Sequence, residues 1–148
     1  MRLTLFTDYT LRTLIYLAIR PDRLVTIGDI AGAYGISTNH LMKVVHQLAT
    51  AGDVTTLRGQ HGGLRLARPA HEINLGAVVR RTEADFALVP CLGCEAECAI
   101  QSDCVLAGVL NDALRAFLAV LDARTLADLC APRAALARLL RVEEPLPD

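Results

Sequence analysis

The sequence lacks an uninterrupted hydrophobic run long enough to cross a membrane. The longest candidate, Val105 to Leu121, contains Asn111, Asp112 and Arg115, whereas a membrane span needs about 20 predominantly apolar residues. The N-terminus also lacks a basic region followed by a long apolar stretch, so we expect no secretion signal. These absences predict a cytoplasmic protein that makes no membrane contact.

The sequence also lacks a residue pattern typical of catalysis. We find no Ser-His-Asp arrangement, no paired carboxylates suited to acid-base chemistry, no internal repeat and no low-complexity tract. The chain has 148 residues, of which 53% are hydrophobic, so it can bury one core and carry an extension. We therefore expect a binding protein and not an enzyme.

Charge is unevenly distributed along the chain. The net charge is only -1, but residues 1–81 contain ten Arg or Lys against five Asp or Glu. Residues 82–148 contain five against eleven. A basic half of this kind is suited to contact with a polyanion such as DNA.

Hydrophobic periodicity predicts three helices in the basic half. The first begins at Thr7, and the second begins at Thr26, where Asp29 completes a capping-box pattern. Ser37 is a good cap for the third helix, and a tight turn at Gly35 joins the second helix to the third. This pair is typical of a helix-turn-helix whose second member is the recognition helix.

A β-hairpin follows the recognition helix. Residues 54–57 and 64–67 are typical of short strands, and Arg58-Gly59-Gln60-His61-Gly62-Gly63 forms the tip. The glycines would let the backbone approach a DNA groove closely. The predicted fold class is mostly α with a small β-hairpin wing: a winged helix-turn-helix with a long C-terminal dimerisation helix.

The outward face of the recognition helix and the wing supply candidate contacts to double-stranded operator DNA. Asn39 and His40 are suited to base edges, and Lys43 and Arg58 to phosphates. An amphipathic core helix with a solvated polar face is the alternative interpretation. The full predicted set is Ser37, Thr38, Asn39, His40, Lys43, Arg58 and His61.

A long helical stripe follows the middle of the chain. The small N-terminal core cannot wholly cover it, so we expect the same helix of a second subunit to pack against it. Packing back onto its own core is the alternative. We expect a DNA-binding domain over residues 1–81, a cysteine-bearing loop over 82–104, and a dimerisation helix and tail over 105–148. The stripe consists of Leu106, Leu110, Ala113, Leu114, Phe117 and Leu121.

Four of the five cysteines lie within fourteen residues, at Cys91, Cys94, Cys98 and Cys104. The cytosol keeps thiols reduced, so this cluster indicates a metal site in place of a disulfide. The spacing is too irregular for a zinc ribbon and suits an iron-sulfur cluster at least as well as zinc. A dithiol switch through Cys91 and Cys94 is a third possibility, and isolated Cys130 is typical of a buried thiol.

Several motifs occur in an order that resembles a known family. They are Leu3-Thr4-Leu5-Phe6-Thr7-Asp8-Tyr9, the glycine-rich wing tip, the spacing of Cys98 and Cys104, and Thr125-Leu126-Ala127-Asp128-Leu129. Together they resemble the nitric-oxide-sensing branch of the IscR-like repressors over nearly the whole chain. The resemblance implies a homodimeric repressor with one 4Fe-4S cluster per subunit and nitric oxide as its signal.

The resemblance also implies a ligand set. In that family three cysteines of one subunit bind the cluster, and an aspartate in the other subunit's first helix can be the fourth ligand. Asp8, Cys98 and Cys104 match these positions, and we favour Cys91 over Cys94 as the remaining ligand because of its Val-Pro-Cys context. This loop contains four cysteines where the family has three, so ligation by cysteine alone stays open.

Other interpretations use the same parts. Without the resemblance, Asp8 is a surface carboxylate paired with Arg12 one turn later. The chain could also be a sensor of iron supply or redox state, a zinc-stabilised DNA-binding protein, or a small iron-sulfur electron carrier or enzyme.

Overall fold

A computed structural model describes residues 2–92, 100 and 103–142 of the chain. Its described parts are mostly helical, with one two-stranded antiparallel sheet. In chain order the elements are α1 (Leu5–Ala18), α2 (Ile27–Tyr34), α3 (Thr38–Thr50), β1 (Val54–Leu57), β2 (Gly63–Leu66), α4 (Leu75–Thr82), α5 (Val105–Asp122), α6 (Leu126–Leu129) and α7 (Arg133–Leu139), with 3-10 turns at Ala70–Glu72 and Pro90–Leu92.

Helix starts follow the capping residues closely. The capping box of Thr26 and Asp29 begins α2, and the Ser37 hydroxyl accepts a hydrogen bond from the His40 N–H at 3.3 Å to begin α3. Gly35 ends α2 in the left-handed region, at φ 64°, which glycine adopts without strain. The predicted helix-turn-helix is therefore present.

The predicted start of α1 at Thr7 is wrong. Thr4 is the cap, and its hydroxyl accepts the Thr7 N–H at 3.3 Å. Thr7 is the third residue of the helix and is fully buried. Thr4, which carries the same hydroxyl one turn earlier, therefore caps the helix. The Thr7 hydroxyl can then bond to another part of the chain.

The core lies where α1, α2 and α3 meet the wing. Leu14, Ile30, Leu41 and Val44 are completely buried there. Burial of such apolar side chains is the main favourable contribution to folding. It fixes the orientation of α3, whose opposite face stays exposed.

The wing pairs β1 with β2 from Val54 opposite Leu66 to Leu57 opposite Gly63. A side chain at Gly63 would place its Cβ 2.9 Å from the Leu24 side chain, and one at Gly62 would collide with the Leu57 carbonyl oxygen. These two glycines are therefore required by the packing of the hairpin itself, in addition to any approach to DNA.

The C-terminal segment returns to the N-terminal core. Leu126 of α6 is completely buried, and its N–H donates to the Ile73 carbonyl at 2.9 Å. The Asn74 side chain donates to the Asp122 carbonyl at 2.7 Å. The end of α5 is thus attached to the start of α4, and the boundaries expected at residues 81 and 104 stay predictions.

Helix α5 has no fully buried residue. Its sides differ, however: α5 packs on α4, and Leu110, Leu114, Phe117 and Leu121 are half-buried. Leu106, Val109 and Val120 are 59%, 56% and 65% exposed. The predicted stripe is therefore divided between contacts within the chain and an open face. Within the described ranges, no helix is long and apolar enough to span a bilayer.

Candidate functional site

The N-terminal half of α3 carries the predicted DNA contacts on an open surface. Thr38, Asn39, His40 and Lys43 are all exposed, as is the cap Ser37. They are held there because Leu41, Val44, Val45 and Leu48 bury the opposite face of the helix. The arrangement leaves donors and one positive charge free to meet a DNA groove.

Met42 lies on the same exposed surface, but the sequence analysis did not include it among the candidate DNA contacts. It is 51% exposed beside Lys43. An apolar side chain in this position can contact a thymine methyl group. The sequence carried one signal that could have identified Met42: it is an apolar residue at a position outside the buried stripe of α3, where an apolar residue is unexpected.

The wing tip is exposed as well. Arg58 and His61 are both open to solvent, and Leu57 at the end of β1 is 45% exposed. The tip follows α3 directly in the chain and is tied to the core by the Val25–Leu64 pair, with N–O distances of 2.7 and 3.0 Å. The wing can therefore present its charges to the DNA backbone from a fixed base.

A buried carboxylate joins the base of the wing to α4. Asp53 is 0% exposed, and it accepts hydrogen bonds from the guanidinium groups of Arg68 and Arg81. The Arg68 Nε to Asp53 Oδ1 distance is 3.1 Å. Because Arg68 follows β2 and Asp53 precedes β1, the ion pair of Arg68 with Asp53 closes the hairpin. The ion pair of Arg81 with Asp53 fixes the hairpin to α4.

The last two residues of α4 and Glu83 contact three other elements. We call Arg81, Thr82 and Glu83 the clamp. The Arg81 carbonyl accepts the Gln47 side-chain N–H at 2.8 Å, which connects it to α3. Gln47 is therefore partly buried, and its side chain is directed at α4.

The other clamp residues bind the first turn of α1. Thr7 donates its hydroxyl to Thr82 at 2.8 Å, and Glu83 Oε1 accepts the Thr4 N–H at 2.8 Å and the Thr4 hydroxyl at 3.0 Å. Burial acts to raise the pKa of Glu83, but its side-chain contact with Thr7 and the hydrogen bonds from Thr4 outweigh burial and hold the pKa below its ordinary value. The carboxylate is therefore stabilised in its charged form.

Asp8 lies on α1 one turn beyond Thr4. It is partly exposed, and its Oδ1 is 2.9 Å from the Nε of Arg12. The Arg12 guanidinium in turn lies 5.7 Å from the ring centroid of Tyr34 in α2, and burial raises the pKa of Tyr34 to about 12. The neighbouring Tyr9 ring is 5.9 Å from the His40 ring of α3.

Two of the three predicted cysteine ligands lie in described segments. Cys91 is half-buried within the Pro90–Leu92 turn, and Cys104 is half-buried at the N-cap of α5. Cys98 and the competing Cys94 lie outside the described residues. Within the described ranges, no three His, Cys, Asp or Glu side chains form a group that could hold a metal ion.

Cys130 is separate from these cysteines. It is half-buried after α6 and packs against the core. Burial raises its pKa, with Arg133 acting in the opposite direction. An apolar setting of this kind favours the neutral thiol, in agreement with a structural role.

Comparisons with known proteins agree with this geometry. The family model "Rrf2: Iron-dependent Transcriptional regulator" matches residues 3–132. The HTH-type transcriptional regulator NsrR of Bacillus subtilis (strain 168) is 49% identical over 146 residues, which cover 97% of this chain and 100% of that protein. The regulator of the same name from Halalkalibacterium halodurans is 45% identical over 145 residues, covering 97% and 99%.

A solved structure has the same fold. The crystal structure of the oxidized form of CymR from Staphylococcus aureus matches with a TM-score of 0.71 and 27% identity, over 88% of this chain and 97% of that one. The fold class predicted from hydrophobic periodicity and the glycine-rich hairpin is thereby confirmed.

Proposed function

Because the chain belongs to the Rrf2 family of iron-dependent transcriptional regulators, we propose that it is a cytoplasmic homodimeric repressor that senses nitric oxide through a cysteine-bound 4Fe-4S cluster. The chain is a transcription regulator and not an enzyme, as the sequence predicted. The near-complete match to proteins named NsrR carries the sensing proposal.

Operator binding uses the exposed N-terminal half of α3 and the wing. Asn39 and His40 would reach base edges, while Lys43, Arg58 and His61 would contact the DNA backbone or the minor groove. Their exposure and the buried opposite face of α3 support this assignment.

The cysteines suit an iron-sulfur cluster in chemistry and in setting. Cys91 and Cys104 are free thiols that are only half-buried, and Cys104 lies at the N-terminus of α5, where the helix dipole favours an anionic group. We infer that Cys91, Cys98 and Cys104 would hold the cluster, with the partner subunit's Asp8 as a fourth ligand. When bound, the cluster would supply iron to which nitric oxide binds.

The clamp is the connection between the cysteine segment and the DNA-binding elements. Arg81, Thr82 and Glu83 precede the cysteine segment, Cys91 to Cys104, and they bind α3, the base of the wing and the first turn of α1. A shift of residues after Glu83 would therefore act on both the recognition helix and the helix that carries Asp8. This contact set supports a rearrangement of packed elements as the switch.

The open face of α5 supports a homodimer. Leu106, Val109 and Val120 recur at helical spacing and are more than half exposed, which is unfavourable for a free helix face in water. A second copy of α5 presents the same apolar surface, so an isologous contact would cover both. Such a dimer would hold two recognition helices at a fixed distance, as a palindromic operator requires.

The cofactor proposal is tested by anaerobic iron and sulfide analysis of freshly purified variants. We expect about four irons per subunit in the wild type, as a 4Fe-4S cluster requires. Cys104→Ala should lose the iron, while Cys130→Ala, which removes the core-packed thiol, should retain it. Zinc in the wild type, or iron retained by Cys104→Ala, would overturn the assignment.

The same assay decides the remaining ligand. If Cys91 binds the cluster, Cys91→Ala loses the visible absorbance and Cys94→Ala keeps it. The reverse result would transfer the role to Cys94. Loss in both variants, with Asp8→Ala unaffected, would indicate ligation by cysteine alone.

A further inference from the structure

A polar cavity of about 700 Å³ lies between α1 and α2 on one side and the end of α7 on the other. Arg20 follows α1, Arg23 lies in the next turn, and Arg141 follows α7, and all three line the cavity. The lining includes no residue of α3, of the wing or of the cysteine segment. The volume is typical of a site for a small molecule.

The cavity has an excess of positive charge. Asp29 is the one carboxylate among its lining residues, and its Oδ2 already accepts the Thr26 N–H at 2.8 Å. In the part of the chain that the structure describes, Arg20, Arg23 and Arg141 have no carboxylate within 4.0 Å. Guanidinium groups left without a counter-charge in a concave site favour an anionic ligand.

Arg20 is held in place but is incompletely satisfied. Its guanidinium carbon lies 5.6 Å from the ring centroid of Tyr16, which also lines the cavity. Its Nε is buried and has no hydrogen-bond partner among the described residues. Buried donors are nearly always paired, so the contacts of Arg20 within the described residues do not satisfy its guanidinium group completely.

Arg141 has an unusual backbone conformation. Its φ is 51°, the one positive value of a non-glycine residue in the described ranges. Its N–H is bonded to the Arg138 carbonyl at 3.1 Å, so the turn after α7 is fixed. Such conformations are uncommon outside glycine and recur at ligand sites.

We propose that this cavity binds a small anionic metabolite with at least two acidic oxygens, of carboxylate or phosphate type, held by Arg20, Arg23 and Arg141. Guanidinium groups bind both kinds of oxygen pair in a two-pronged geometry. One wall comes from α1 and α2 and the other from the end of α7, so the ligand stabilises the packing of the C-terminal segment on the helix-turn-helix. This input is independent of the cysteines.

Isothermal titration calorimetry and thermal unfolding of the intact protein test the proposal, with citrate and inorganic phosphate as separate probes at matched ionic strength. We expect saturable binding of at least one probe and a saturable rise in Tm. Citrate alone indicates a carboxylate ligand, and phosphate alone a phosphoryl ligand. Absence of saturable binding by both probes would overturn the proposal.

Variants locate the site. Arg23→Gln and Arg141→Gln should each weaken binding of the active probe at least tenfold. Arg138→Gln, an exposed arginine at the end of α7 outside the lining, should bind as the wild type does. Equal binding by all three variants would contradict the site. A loss of operator affinity in Arg23→Gln and Arg141→Gln without added anion, as large as that in Lys43→Gln, would identify a DNA phosphate contact and also overturn it.

Discussion

Gln47 of the recognition helix donates its side-chain N–H to the backbone carbonyl of Arg81 at 2.8 Å. The two residues are 34 positions apart, and Arg81 also binds buried Asp53 at the base of the wing. One residue of α4 thus contacts both DNA-binding elements. The orientation of α3 relative to the wing therefore depends on the end of α4.

Replacement of Gln47 by methionine keeps the length of the side chain and removes its donor. We expect the operator affinity of the cluster-bound protein to fall about fivefold, since a neutral hydrogen bond contributes about 1 kcal/mol. The visible absorbance of the cluster should not change. Fluorescence anisotropy with labelled operator measures the affinity.

Thr50→Val is the control for this variant. Thr50 also lies on α3, but its hydroxyl bonds to the His46 carbonyl of the same helix. Equal losses of operator affinity in Gln47→Met and Thr50→Val would show that Gln47 acts only through α3 itself and not through its bond to Arg81.

Asp53→Asn tests the closure of the wing. Removing the charge leaves two arginines without their partner, which costs about 3 kcal/mol in the free energy of unfolding. We place this loss of unfolding free energy at the lower end of the range for a broken buried ion pair, because both guanidinium groups remain about a third exposed. Urea unfolding of the cluster-free protein measures the difference.

Asp22→Asn is the matched comparison for Asp53. Asp22 is almost fully exposed and lies 3.8 Å from Arg133, so its loss should change the free energy of unfolding by less than about 0.5 kcal/mol. If both variants were equally stable, Asp53 would have no closing role.

Lys43→Gln tests phosphate contact by α3. Loss of one phosphate contact should weaken binding to operator and to unrelated DNA by the same factor. It should also reduce the slope of log K against log salt by about 1. Arg124→Gln, just beyond the C-terminal end of α5, should leave the slope unchanged. An unchanged slope in Lys43→Gln would place Lys43 away from the phosphates.

Val109→Glu tests the open face of α5. A charge at this position on each subunit would be buried in the proposed dimer contact, so we expect the monomer to dominate in sedimentation equilibrium. Asn111→Glu is the control, because residues two apart differ by about 200° around a helix. A dimer that persists in Val109→Glu would exclude this face from the interface.

Local chemistry explains which parts of the fold were predictable. Ser37 and the capping box of Thr26 and Asp29 act within one helical turn, so the sequence alone locates α2 and α3. Thr7 has the same chemistry as Thr4, and only its burial against Thr82 distinguishes the two. A cap could therefore be predicted near Thr7, but its position needed the tertiary structure.

Long-range contacts explain what could not be predicted. Asp53 follows Gly52 and has the appearance of an ordinary turn residue, because its two arginines lie 15 and 28 positions later. The apolar stripe on α5 could be predicted from its helical period, but which of its residues are covered depends on packing within the chain. The Cys91 and Cys94 alternatives differ only in spacing, which does not determine ligation.

The central claim is tested most directly by an anaerobic nitric oxide titration of the freshly purified protein. Cluster absorbance and operator occupancy are followed in the same samples. We predict that operator occupancy falls in proportion to the loss of cluster absorbance. Nitric oxide alone, without an iron chelator, should release the operator. Occupancy that stays constant while the cluster reacts would contradict nitric oxide sensing and leave the DNA-binding regulator in place.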